Sequence, residues 1–175
     1  EELLTAGMIF NVRVDFYDGD FLNEGTFFME IIGGTFRKVL NHGSLEGKLF
    51  EDLIVHDFAN YGIFQGSGFI HVTGYNWGEL KGTNLVIGGK LTNKKREGST
   101  SLVGASERLV LLGHFTNEDE ARVLASRLET TGDFTNEGVV GSDETQIVVR
   151  GKWLNALTGE VKADQLLFED GDFLN

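Results

Sequence analysis

The 175-residue chain has no cysteine, no proline and only two methionines. Without thiols it forms no disulfide, runs no thiolate chemistry and offers no Cys-ligated metal site. A cysteine-free chain also suits export in the unfolded state through a narrow pore, where an early disulfide would jam. No stretch approaches the roughly 18 consecutive apolar residues that a membrane-spanning helix needs. The start, Glu1-Glu2, carries no basic segment of the kind that opens a signal peptide. Basic residues are scarce: 15 Lys and Arg against 27 Asp and Glu leave a net charge of −12. Phosphate contacts need clustered Lys and Arg, so no nucleic-acid partner is expected. Glycine (24 copies) and phenylalanine (14 copies) are plentiful in a chain that is 41% hydrophobic. That mixture suits repeated strands, tight turns and aromatic stacking in one soluble domain.

An asparagine recurs along the chain at Asn23, Asn41, Asn60, Asn76, Asn93, Asn117, Asn136, Asn155 and Asn175. The successive gaps are 18, 19, 16, 17, 24, 19, 19 and 20 residues, a mean step of 19. Self-similarity at a period of about 20 residues signals a solenoid, in which each repeat stacks on the last. Two residues before the asparagine stand Phe21, Val39, Phe58, Gly74, Leu91, Phe115, Phe134, Trp153 and Phe173. Apart from Gly74 this column is apolar, which predicts an inward core stack. Glycine stands four residues before the beat at 19, 89, 113, 132, 151 and 171, and two after it at 25, 43, 62, 78 and 138. These positions read as turns with φ > 0, where a Cβ would clash.

An amide carries both a donor and an acceptor, so asparagines one coil apart can bond in a continuous ladder between strands about 4.8 Å apart. Asparagine also tolerates the left-handed conformation better than most residues. In the column just before the core stack, charges alternate as Asp20–Lys38–Asp57 and again as Asp133–Lys152–Asp172. Stacked coils would set opposite signs above one another on the outside, a register device more than a binding site.

Between beats lie short apolar or alternating runs such as Gln146–Val149, Leu85–Ile87, Phe69–Val72 and Arg108–Leu112. They predict an all-β, single-stranded parallel β-helix of about nine coils, one solenoid over residues 1–175. The columns do not fix its hand, for which the fold family suggests right-handed. A chain stopping inside a motif copy at Asn175 reads as a piece of a longer repeat array. The segment Asn117–Glu129 has helical features, a capping residue and Leu124–Leu128 spacing, but its 19-residue step keeps it as strand-rich coil. The 24-residue gap needs an insertion, placed at Lys94–Ser101, and its basic run Lys94-Lys95-Arg96 is the candidate ligand loop for an anionic glycan or acidic membrane.

β-Helices also host polysaccharide lyases and glycosidases, which need carboxylates converging on one groove. The acids at matched positions are Glu118 with Glu137, and Asp143 faces Lys162. The first pair sits beside the turn, and His42, His56, His71 and His114 fall in four different columns. No catalytic, cofactor or metal site is therefore assigned. Glycine-aspartate nonapeptides of a calcium-binding β-roll are absent. A third reading is a filament-forming solenoid, because open coil ends are unpaired sheet edges that favour end-to-end self-association.

The copies GDFLNEG (19–25), DFANYG (57–62), GDFTNEG (132–138) and GDFLN (171–175), on a 19-residue beat without cysteine, carry a resemblance. The chain resembles the repeat region of filamentous haemagglutinin-like exoproteins, the large secreted partners of two-partner secretion systems. The resemblance covers about Gly19 to Asn175 and implies a stretch of shaft. The family's Asn-Pro-containing secretion domain cannot lie in a proline-free chain. Similar coils occur in autotransporter passengers. The implied role is a non-catalytic structural and adhesive segment on a bacterial cell surface or secreted protein. Its implied partners are adjacent coils of the parent protein, an outer-membrane transporter, and a receptor or glycan on a host or neighbouring cell.

Overall fold

A computed structural model describes residues 2–5, 13–99 and 101–175, with side chains from Asp18 onward. Residues 1, 6–12 and 100 lie outside the described residues, Thr100 being part of the expected loop. The strands are β1 (Glu2–Thr5), β2 (Arg13–Asn23), β3 (Thr26–Asn41), β4 (Ser44–Asn60), β5 (Ile63–Asn76), β6 (Glu79–Asn93), β7 (Leu102–Leu111) and β8 (His114–Asn117). They continue as β9 (Arg122–Thr130), β10 (Phe134–Asn136), β11 (Val139–Gly141), β12 (Gln146–Val149), β13 (Lys152–Asn155), β14 (Glu160–Lys162), β15 (Gln165–Phe168) and β16 (Asp172–Leu174). All sixteen join one continuous sheet through parallel pairings. The chain is a parallel β-solenoid of about eight turns, bounded by the nine asparagines, with a repeat of about 19 residues and no helix among the described residues.

Each turn has three faces, cleanest where β11, β12 and β13 follow one another around the coil. Earlier coils trace the same course as one long strand whose bends appear as register shifts, such as that between Gly33 and Thr35. Within Asn117–Glu129 a turn at residues 119–120 leads into β9, which spans Arg122–Thr130, so tertiary pairing overrides the local helical signals. On the first face Phe27, Leu45, Phe64, Leu80, Val103, Val123 and Val140 form one inward column, buried throughout. The third face carries the expected core stack. Phe21, Val39, Phe58, Leu91, Phe115, Phe134 and Trp153 are buried and in register, and Phe173 is partly buried at the end. Burying each such side chain contributes about 1.5–3 kcal/mol. Neighbouring rings meet edge-on, Phe115–Phe134 at 5.4 Å and Phe134–Trp153 at 4.5 Å between centroids.

The flanking glycines are required for a different reason from the one their sequence suggests. Of the eleven, only Gly89 has a left-handed φ (86°). What forbids a side chain is the coil next door. A Cβ on Gly43 would lie 1.9 Å from the Gly25 carbonyl oxygen, on Gly62 1.9 Å from that of Gly43, and on Gly132 2.0 Å from that of Gly113. Glycine stacks on glycine because the backbones themselves are in contact. The ladder asparagines also lack the left-handed backbone, which among non-glycine described residues belongs to Asp18, Asp52 and Glu120. Their selection rests on the amide alone.

Candidate functional site

The polar spine of the molecule is the asparagine ladder. Each Nδ2 donates to the Oδ1 of the asparagine one coil on, at 2.7–2.9 Å, through all eight steps from Asn23 to Asn175. The second N–H of each amide goes to a backbone carbonyl: Asn23 to Ser44 at 3.1 Å, Asn41 to Ile63 at 2.8 Å, Asn60 to Glu79 at 3.0 Å. Asn23 through Asn136 are fully buried and Asn155 nearly so. A buried polar group without a partner is costly, and here the repeat itself supplies the partner.

Outside the same corner, the residues following Asn41, Asn60 and Asn76 form a stack of rings. His42 and Tyr61 lie 4.7 Å apart at 6°, and Tyr61 and Trp77 4.6 Å apart at 1°. The insertion packs against this stack through Arg96 and Ser99. Arg96 sits 5.6 Å over the Tyr61 ring, Lys94 pairs with Glu118 at 3.1 Å, and Lys95 pairs with Glu120. The loop returns through Ser101, whose buried hydroxyl donates to the Asn76 carbonyl at 3.0 Å. All three cations of the candidate ligand loop therefore have partners within the protein.

Other candidates from the sequence are engaged locally. Glu118 is engaged by Lys94, and Lys162 pairs with Glu160 at 3.0 Å rather than with Asp143. His114 contacts Asp133 at 3.2 Å. In the alternating charge column Lys38 reaches Asp57 at 3.8 Å, whereas Asp20 is taken by Arg37 through bonds of 2.7 and 3.0 Å. Lys152 stands in register with Asp172. Among the described residues no group of three His, Cys, Asp or Glu is placed to hold a metal.

The strongest electrostatic feature is Glu129 on the second face, with its side chain only 5% exposed. Its column neighbours Val110 and Val148 are buried above and below it, so the carboxylate sits between apolar side chains. Three guanidiniums from three successive coils converge on it. Arg108 donates at 2.8 and 3.1 Å, Arg127 at 2.7 Å and Arg150 at 2.8 Å. Arg150 also reaches Glu169 at 2.7 Å, and Arg127 donates to the Gln146 side-chain Oε1 at 2.6 Å. Hydrogen bonding from Arg108 leads the forces that hold the Glu129 carboxyl down at about 2, against the opposing pull of burial. The same bond raises Arg108, and Glu129 raises Arg150. Sequence columns taken from asparagine miss this cluster. Its signal was there, since Arg108, Arg127, Gln146 and Gln165 are spaced by 19 residues.

Fold and side-chain pattern together define a parallel β-solenoid with an internal amide ladder. No family model, no curated protein and no solved structure matches the chain.

Proposed function

We propose that the chain is a non-catalytic structural and adhesive shaft segment of a bacterial secreted or cell-surface exoprotein, of the filamentous haemagglutinin-like kind. One observation carries this reading: the amide ladder runs unbroken through eight coils, with buried rings beside it. Such a stack forms a rod about 38 Å long, whose coils contact only their neighbours. Its work is to hold binding sites away from the cell. Export through an outer-membrane transporter fits a cysteine-free chain that gains structure coil by coil. Pulling the protein by its two ends in a force spectrometer tests the load-bearing role. The expected trace shows resisted steps, each releasing about 65 Å, the contour of one 19-residue coil. Extension with no more resistance than an unfolded chain would sink the proposal.

End-to-end assembly is the second reading, since parallel pairing coil on coil lets further coils add in register. Sedimentation across a concentration series separates it from a monomeric shaft.

A further inference from the structure

A trough crosses the solenoid where the first face bends into the second. One cavity of about 580 Å³ runs from Gly47 on β4 to Leu124 on β9. A second, of about 250 Å³, continues it to Phe28 on β3 and shares Gly47, Lys48 and Gln65 with the first. Together they cover five coil steps, about 24 Å along the axis. The floor is made of small residues, Gly47, Gly66, Gly82, Gly104 and Ala105. A Cβ on Gly66 would strike the buried Phe50 ring at 2.6 Å, so the core beneath holds that position to glycine.

The walls offer hydrogen-bonding groups at the coil repeat. Gln65 and Lys81 are in register on one wall, and Ser67, Thr83 and Ser106 follow one another on the other. Among the described residues the Gln65 amide and the Thr83 and Ser106 hydroxyls make no hydrogen bond to protein. Charge in the trough is cancelled locally: Lys48 pairs with Glu30 at 3.3 Å and Lys81 with Glu79 at 2.6 Å. With a net charge of −12 around it, this trough does not attract a polyanion. Nor does it suit a peptide that binds by adding a strand, because β4, β5 and β6 already have neighbours on both sides. What remains is an extended, neutral, hydroxyl-rich polymer. It would exchange hydrogen bonds with amide and hydroxyl groups and set its apolar faces on the glycine floor.

We propose that this lateral trough binds a neutral, linear β-linked glycan lying along the solenoid axis. The proposal rests on the adhesive part of the reading above and gives it a surface. The test uses immobilised β-1,4-linked glucose and N-acetylglucosamine oligomers, with heparin as the anionic comparison. It compares the parent protein with the Gln65→Ala, Thr83→Ala double variant, whose fold is checked by its melting curve. Retention of the parent on a neutral oligomer is expected, weakened about tenfold in the folded double variant, as loss of one or two hydrogen bonds implies. A Thr92→Ala variant, altered on the third face away from the trough, should bind as the parent does. Three results overturn the proposal: no neutral oligomer retained, retention on heparin alone, or equal binding by the double variant. None of these touches the force measurement, so the shaft reading stands or falls separately.

Discussion

Replacing Asn60 by alanine would cut the ladder near its middle. The side chain accepts from Asn41 Nδ2 at 2.7 Å and donates to Asn76 Oδ1 at 2.7 Å and to the Glu79 carbonyl at 3.0 Å. Asn41 keeps its bond to Ile63, but one of its N–H groups and the Asn76 oxygen are stranded in a fully buried column. Each orphaned group costs about 1–3 kcal/mol, so a loss of about 2–5 kcal/mol is expected. For a chain of this size that lowers the melting temperature by about 5–15 °C. Asn60→Asp sharpens the test. Among the described residues the partners at that column position are amides and a carbonyl, so burial raises the new carboxyl's pKa above its unfolded value of about 3.9. The protonated acid still bonds along the ladder. Its contribution is therefore present below the unfolded pKa and lost as the pH rises through the folded pKa. The melting deficit relative to the parent should be largest at neutral pH and narrow on acidification, measured by circular dichroism. If both variants melt within a degree or two of the parent at neutral pH, the ladder does not hold the fold.

Glu129→Gln leaves three guanidiniums around an amide. Solvent at the half-exposed arginines reduces the loss to about 2–3 kcal/mol, read as a lower urea midpoint. Because its folded pKa of about 2 lies below the unfolded value, Glu129 stabilises above about pH 4.3, and the parent loses this as the pH falls toward 2. The two urea midpoints should therefore converge in acid, and a gap independent of pH would refute the ion cluster. Gly62→Ala places a Cβ 1.9 Å from the Gly43 oxygen and 2.8 Å from the His42 oxygen, both backbone atoms that cannot turn aside. We expect about 3 kcal/mol of destabilisation or more, seen as a sharp fall in soluble yield and melting temperature. Trp153→Phe removes a buried indole N–H that has no partner among the described residues, in a column already containing Phe134 and Phe173. Its stability should stay within about 1.5 kcal/mol of the parent, whereas loss of a needed hydrogen bond would show as a larger drop.

The solenoid was legible because its determinants repeat: a buried amide recurs coil after coil, with a buried apolar residue two places earlier in all but the Gly74 turn and the last one. The insertion was legible too, since Asn93 to Leu102 is nine residues where Asn76 to Glu79 is three. The cause of the flanking glycines was not, because a clash between neighbouring coils is a contact in space that mimics a turn signal in sequence. Glu129 was hidden for a related reason. It occupies the same column as Val110 and Val148, so it reads as one odd residue until the arginines of adjacent coils are seen to close over it. The basic run had the opposite fault: Lys94, Lys95 and Arg96 stood out in the sequence, but each is answered by a neighbour.

Every amide in the ladder points the same way, donor toward the following coil, and the carbonyls of Ser44, Ile63 and Glu79 anchor that sense at the start of the run. The side chains therefore form a one-way wire of aligned dipoles inside the rod. Reversing one amide would set oxygen against oxygen on one side and N–H against N–H on the other, so the orientation of each is dictated by the rest. The two directions along this wire are chemically unlike, each amide turning its acceptor to the preceding coil and its donor to the following one. A coil added to the rod in the reverse sense would meet like against like, and the molecule thereby tells its own top from its bottom.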